Sequence, residues 1–294
     1  MLFEIPYINV QELNSNFPAQ KNIRLSVARL DEIHPVVSGN KLYKLHYFLE
    51  EYNAGAYKAI QTFGGAYSNH LAATAFACSL AGIPCRGIVR GEKPAHLSHT
   101  LQQCVDHGMQ LEFVSRGRYN VLSRLPEKTE STLQIPEGGY HPMGAKGAAL
   151  IMDAVTKDYT HICVATGTAT TLAGILQKAT VQQTVIGIPV LKGFTDIGER
   201  LQLLNGRSDY SNLEIWDQYH FGGYAKKTPG LVSFMNDIYK EYQLPTDFVY
   251  TAKMMYAVFD QLKTPVFKAG SHILCLHTGG LQGNNSLPAG SLIF

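Results

Sequence analysis

Nothing in these 294 residues concentrates charge of one sign: 25 lysines and arginines stand against 23 aspartates and glutamates, a formal net charge of +2. Neutralising a phosphate backbone takes clustered lysine and arginine, and no basic run breaks this chain, so nucleic-acid binding is not expected. Cysteine is sparse and scattered. Cys78, Cys85, Cys104, Cys163 and Cys275 include no C-x-x-C pair, and four of them fall inside apolar helix or strand patterns. Reduced core residues fit that distribution better than a disulfide framework or a zinc site. The eleven histidines form no H-E-x-x-H arrangement, so no metal is expected. An apolar run long enough to cross a bilayer is missing too, and the opening MLFEIPYINVQELNSNF has no basic stretch followed by an apolar one. The expectation is an unexported, cytoplasmic protein without a membrane segment. What is present is enough chain for two domains or one large one with a substantial core, and small molecules as the expected partners.

From Lys41 onward, helical and strand patterns alternate with short Gly or Pro punctuation, the pattern of a parallel α/β sheet. Helices are expected over about 41–53, 68–82, 95–108, 145–157 and 247–262, with Ser68 as N-cap and Gly82 as terminator of the second. AIQTF (59–63), CRGIV (85–89), QLEFV (110–114), HICVA (161–165), TVIGIPV (184–190) and HILCLH (272–277) read as buried strands. The Gly- and Pro-rich IPEGGYHPMGAKG (135–147) suggests a boundary or crossover between two runs of alternation. Beyond 191 the pattern loosens, and no internal repeat is found.

The stretch VSGNKLYKL (37–45) sets two lysines three residues apart where a turn becomes a helix. Lys41 and Lys44 share one helical face, and an exposed basic edge is the ordinary reading of such a pair. Ser38, Gly39 and Asn40 are turn and cap residues, however, and the apolar series Leu42, Leu45, Leu49, Tyr52 starts at once, which puts Lys41 in the first helical turn. There the backbone dipoles disfavour an ammonium and favour the neutral, nucleophilic amine; Lys44, one turn on, should feel this less.

In open parallel sheets ligands collect where strand ends lead into helix starts. Three such ends carry small polar residues: FGGAYSNH (63–70), Thr166-Gly167-Thr168-Ala169-Thr170-Thr171, and Leu276-His277-Thr278-Gly279-Gly280. The second could cradle a phosphate on backbone N–H groups and hydroxyls, although it lacks the Gly-Lys-Ser/Thr of a Walker loop and the G-x-G-x-x-G spacing, and simple helix capping explains it as well. An anion there and a neutral amine at Lys41 together suit pyridoxal phosphate, which needs a phosphate cup and a covalent amine partner.

SGNKLYKL, FGGAYSNHLAATA, ATGTATTLAG, DFVYTAKMMY and HTGG, in that order, resemble the D-cysteine desulfhydrase and 1-aminocyclopropane-1-carboxylate deaminase family, from about residue 23 to 284. The resemblance implies a pyridoxal 5'-phosphate lyase or deaminase of fold type II: α/β, two open, mostly parallel twisted sheets flanked by helices, the cofactor in the cleft between domains. Residues 1–43 and 138–294 would form the larger, cofactor-anchoring domain and 44–137 a smaller one inserted in it. It implies Lys41 as the Schiff-base lysine, Ser68 near the reacting carbon, Asn69 on the cofactor's ring hydroxyl, and Ser68, Asn69 and His70 on the substrate carboxylate. Thr166, Gly167, Thr168, Ala169, Thr170 and Thr171 would hold the phosphate, Thr278 would face the ring nitrogen, and Tyr250 would be catalytic, with Tyr224 as a second tyrosine. In that family the cyclopropane deaminases carry Glu and Leu where this chain has Thr251 and Thr278, and the desulfhydrases carry hydroxyl residues, so the pair favours D-cysteine elimination to a keto acid, ammonia and sulfide. Tyr67 before Ser68 departs from the family's usual glutamine and bears on substrate identity. Ring-opening deamination and a non-catalytic cofactor-binding homologue are the alternatives. A small amino-acid substrate and a homodimer are implied by resemblance alone.

Overall fold

The computed structural model describes residues 7–14, 22–34, 39–124, 131–155 and 158–294. Two sheets organise them. In chain order, β1 (Val10–Glu12) and β2 (Arg24–Arg29) precede α1 (Asn40–Ala54). Then come β3 (Ala59–Gly64), α2 (Asn69–Ala81), β4 (Cys85–Arg90), α3 (His99–Asp106), β5 (Gln110–Val114), α4 (Arg116–Arg124) and β6 (Thr132–Ile135). After them follow α5 (Pro142–Asp153), β7 (His161–Thr166), α6 (Thr170–Lys178), β8 (Thr184–Pro189), α7 (Ile197–Asn205), β9 (Leu213–Ile215), α8 (Pro229–Tyr242), α9 (Thr251–Gln261) and β10 (His272–His277).

The smaller sheet runs β5-β4-β3-β6, parallel throughout, and the larger runs β1-β2-β10-β7-β8-β9, parallel except for the β1–β2 pair. The larger sheet is buried on both faces. One apolar cluster joins Val164 and Leu274 to α5 and α6 residues such as Ile151 and Ile175; another joins Ile186 and Cys275 to α9 residues such as Met254 and Val258. A third cluster packs α1, α2 and α3 on the smaller sheet through Leu45, Leu71 and Leu101. All five cysteines are free and buried. Among the described residues no helix is long and apolar enough to cross a membrane, and no group of His, Cys, Asp or Glu could hold a metal ion.

The sequence reading misses β2, and the reason is physical: RLSVAR puts Ser26 and Arg29 at buried positions. Both are tolerated because they find partners, Ser26 Oγ with His272 Nε2 at 3.0 Å, and Arg29 with Asp31 two residues on at 2.7 Å and with Gln11 Oε1 at 2.8 Å. It also extends two helices too far toward the N-terminus. Ser98 Oγ accepts the Leu101 N–H at 3.2 Å, so α3 starts at His99 rather than 95. α9 begins only at Thr251, whose N–H donates to Asp247 Oδ1 at 2.9 Å, so 247–250 form the turn that leads into it. α5 starts earlier than expected, at Pro142, behind a cap from His141 Nδ1 to the Met143 N–H; residues 156–157 of its expected end lie outside the described residues, as does Ser38.

Gly39 decides where α1 meets the larger sheet. Its φ is +78°, and a Cβ there would lie 1.9 Å from the Thr278 carbonyl oxygen. Only glycine lets the head of α1 run against the loop after β10, and Asn40 N–H then donates to the same carbonyl at 3.3 Å.

Candidate functional site

A cleft enclosing about 500 Å3, part of it open to solvent, lies at the carboxyl ends of the strands. Its walls come from the heads of four helices and the loop after β10: Asn40, Lys41 and Lys44 from α1, Asn69 from α2, residues 166–172 leading into α6, Tyr250 before α9, and Thr278 and Gly279. Gly138, after β6, closes one side.

Neither lysine forms an exposed basic edge. Lys44 is buried, and its Nζ donates to the Gly138 carbonyl at 3.2 Å. Burial, with the charge of Lys41 added, holds its amine well below the ordinary lysine range. Lys41 Nζ donates to Asn40 Oδ1 at 2.5 Å, and burial lowers its pKa to about 8 against the opposing pull of Asp247. Desolvation thus does most of what the helix dipole was expected to do. Asn40 is no helix cap: its Nδ2 donates to Thr171 Oγ1 at 2.7 Å while its oxygen holds Lys41, tying the amine to the threonine loop. Asn40, Lys44 and Gly138 were not anticipated as site residues. For Lys44 the signal was its place on the same helical face as Lys41; for Asn40 and Gly138 the sequence had none.

At the second strand end, Thr166 and Thr170 are buried and Thr168 Oγ1 meets Thr170 Oγ1 at 2.8 Å. Ala169, at φ +66°, turns the chain into α6, whose first turn carries no acidic residue. The first N–H groups of a helix have no acceptor within it and lie at the positive end of its dipole. With the Lys44 amine across the cleft, this loop is built to receive an anion.

Ser68 caps α2, its Oγ accepting the Leu71 N–H at 3.2 Å, and is not part of the cleft wall. Asn69 is in the wall, and its Oδ1 is buried without a partner among the described residues. The His70 side chain is turned to a different task, which leaves its main chain to the role expected at the helix start. Thr62 Oγ1 spends its one proton on the Ile135 carbonyl at 2.8 Å, so the 2.8 Å contact to His70 requires the proton on Nε2, an assignment from the hydrogen-bond network. Burial, then the charges of Lys41 and Lys44, push His70 down to about 3, so it stays neutral with a bare Nδ1 that repels a carboxylate. What His70 can offer an anion is its main-chain N–H at the head of α2.

Tyr250 lies against Gly167, where a Cβ would come 3.1 Å from its Cε1. Its ring meets that of Tyr224 edge to face, with centroids 6.1 Å apart and planes at 75°. Burial raises the Tyr250 pKa well above the ordinary value, so it keeps its proton. Tyr224 is half exposed and stands beyond the wall. Thr251 faces away from the cleft: fully buried, it donates from Oγ1 to Asp247 Oδ1 at 2.8 Å and accepts the Asp247 N–H at 2.8 Å. It shapes the head of α9 instead of contacting a ligand. Asp247 also accepts the N–H groups of Val249 and Tyr250, each at 2.9 Å.

A buried amine of lowered pKa, an anion cradle and an orphaned Asn69 oxygen, all in the wall of one cleft, fit pyridoxal phosphate. The fold is that of the type II pyridoxal-phosphate enzymes, and the match to the pyridoxal-phosphate dependent enzyme family covers residues 6–279. The chain belongs to that family, and its cofactor is pyridoxal 5'-phosphate. It is 28% identical over 87% of its length, and 88% of the relative's, to a Thermotoga maritima protein provisionally named 1-aminocyclopropane-1-carboxylate deaminase. A D-cysteine desulfhydrase of Klebsiella pneumoniae is 25% identical over 86% of both chains. Among solved structures, an ACC deaminase homologue superposes with a TM-score of 0.77 at 23% identity, covering 97% of this chain and 92% of the other. A hydrogen sulfide-producing enzyme from Fusobacterium nucleatum gives 0.69 at 11%, covering 95% and 97%, which speaks for the fold alone.

Proposed function

We propose that the protein is a lyase that removes a β-substituent from a small amino acid, D-cysteine in the first instance: D-cysteine and water would give pyruvate, ammonia and sulfide. The observation that carries this reading is Thr278. The cleft wall at the end of β10 offers a hydroxyl, and no carboxylate stands anywhere in the wall among the described residues. A carboxylate at the cofactor's ring nitrogen would keep that nitrogen protonated and strengthen electron withdrawal, as opening a cyclopropane demands; expelling a thiolate asks for less.

Each residue then has a part. The Lys41 amine would hold the cofactor's aldehyde, and the α6 head with Lys44 its phosphate. Bound there, pyridoxal phosphate would supply an electron sink for the pair left on Cα. The main-chain N–H groups at the head of α2 would take the substrate carboxylate. A Lys41 amine near pKa 8 is partly neutral at physiological pH and can accept the Cα proton, with Asn40 Oδ1 steadying it. Tyr250, held protonated by burial, can donate toward the departing sulfur. The same reading has the protein cytoplasmic and homodimeric.

Supplying the loaded enzyme with D-cysteine, L-cysteine and 1-aminocyclopropane-1-carboxylate tests this. Pyruvate and sulfide from D-cysteine are expected. Ring opening, a second reading supported by the 28% identical relative, would instead yield 2-oxobutyrate from the cyclopropane acid, and that result alone would displace the desulfhydrase reading. Bound cofactor with no turnover of any amino acid tried would leave a non-catalytic homologue.

A further inference from the structure

We propose that Lys253 is a positioning residue: its buried amine clamps the turn from His220 to Ala225 so that Tyr224 is delivered onto Tyr250 at the cleft. Lys253 is fully buried, and its Nζ donates to the His220 carbonyl at 2.9 Å and to the Gly223 carbonyl at 2.7 Å. No carboxylate forms an ion pair with it among the described residues. Methionine would fill such a position without the desolvation cost of an amine, so the lysine needs a reason.

The turn supplies one. Phe221, Gly222, Gly223 and Ala225 all have positive φ, at 52°, 90°, 119° and 53°. Two of these are not glycine, and such backbone persists only where its surroundings over-determine it. Internally the turn has the Gly223 N–H on the His220 carbonyl at 3.0 Å and the Lys226 N–H on the Gly223 carbonyl at 3.1 Å. Lys253 donates to those same two oxygens, from outside. Tyr224 follows Gly223 directly and meets Tyr250, which heads the helix that carries Lys253. One helix thereby fixes both tyrosines. Burial lowers the Lys253 amine to about 8, against Asp247. A neutral amine still has two N–H bonds for two carbonyls, so the clamp holds whichever way it titrates.

The inference rests on the desulfhydrase reading only in that Tyr224 would orient Tyr250, the proton donor there, and its first test needs no substrate. Amide hydrogen exchange is compared for wild type, Lys253→Met and Lys253→Gln, the glutamine keeping two donors on a shorter stem. Exchange across 221–226 should rise at least tenfold in the methionine variant and less in the glutamine variant, with the rest of α9 unchanged. In the loaded enzyme acting on D-cysteine, kcat should fall as far in Lys253→Met as in Tyr224→Phe, KM should hold, and the double variant should fall no further than either alone. Exchange at 221–226 within twofold of wild type, loosening along the whole of α9, or a double variant whose loss is the product of the singles would overturn the clamp. Should the methionine variant not fold, glutamine against wild type decides by the same exchange criterion. Local exchange that rises in a protein inert toward D-cysteine would sustain the clamp while sinking the desulfhydrase reading.

Discussion

Replacing Lys41 by methionine should make the cofactor-free protein more stable at neutral pH, and by an amount the structure sets. Burial takes the amine from 10.5 to about 8. At pH 7 the folded chain therefore carries a cation it binds less well than the unfolded chain does, a penalty on the order of 3 kcal/mol. Methionine has nearly the same volume and no charge, but it orphans Asn40 Oδ1, which returns about 1 kcal/mol. The net gain of about 2 kcal/mol corresponds to a rise of roughly 4 °C in Tm for a chain of this size. The pH dependence separates this from a packing effect. A lowered lysine pKa means that the unfolded state binds more protons between about pH 8 and 10.5, so wild-type stability climbs with pH across that window, while below it the penalty is complete. The variant lacks that climb, so its advantage should close near pH 10 and reverse slightly by pH 10.5, where only the orphaned Asn40 oxygen still separates the two proteins. Thermal or urea unfolding of cofactor-free protein at pH 7, 9 and 10.5 reads it out. A variant that melts at or below wild type at pH 7, or a gap that stays constant with pH, would refute the claim that Lys41 is a buried, penalised amine.

Two further outcomes follow from the same geometry. Gly39→Ala should cost at least 3 kcal/mol in urea unfolding and loosen cofactor binding, because its Cβ would sit 1.9 Å from the Thr278 oxygen at a φ of +78°. Asp31→Asn should cost about 3–5 kcal/mol, since it strips the carboxylate that pairs with Arg29 at 2.7 Å and lies 3.0 Å from His277 Nδ1 in a buried site. Burial would raise the Asp31 pKa, but hydrogen bonds and charge from His277 and Arg29 outweigh it and hold the carboxyl well below its ordinary 3.8. The stability it lends is present above that value and lost as pH falls below it, so the variant's urea midpoint should drop less than wild type's between pH 7 and pH 3.

Periodicity and turn chemistry made much of this fold legible. α2 begins after Ser68 and ends at Gly82 in the left-handed region, as expected from a hydroxyl cap and a residue free of Cβ strain. The strands 59–64, 85–90, 161–166 and 272–277 were visible because both faces of a parallel strand are buried, which leaves a run of apolar residues. β2 was not, because buried Ser26 and Arg29 interrupt its apolar run; Ser26 finds its partner in distant His272, and Arg29 in nearby Asp31 and in Gln11 of β1.

Residue types and their order along the chain determined by themselves that an amine at Lys41 opens one helix and that a small hydroxyl-rich turn at 166–171 opens another at a strand end, since caps and strand ends are local matters. Only the tertiary structure decided how those groups act. Desolvation, which depends on everything packed around a side chain, lowers Lys41 and buries Lys44 beside it. Hydrogen bonds across 131 residues bring Asn40 to Thr171, and the proton Thr62 gives to the Ile135 carbonyl fixes the His70 ring as a neutral, buried acceptor, leaving only its main-chain N–H for an anion. Burial and long-range hydrogen bonding are properties of the assembled chain, and no local pattern encodes them.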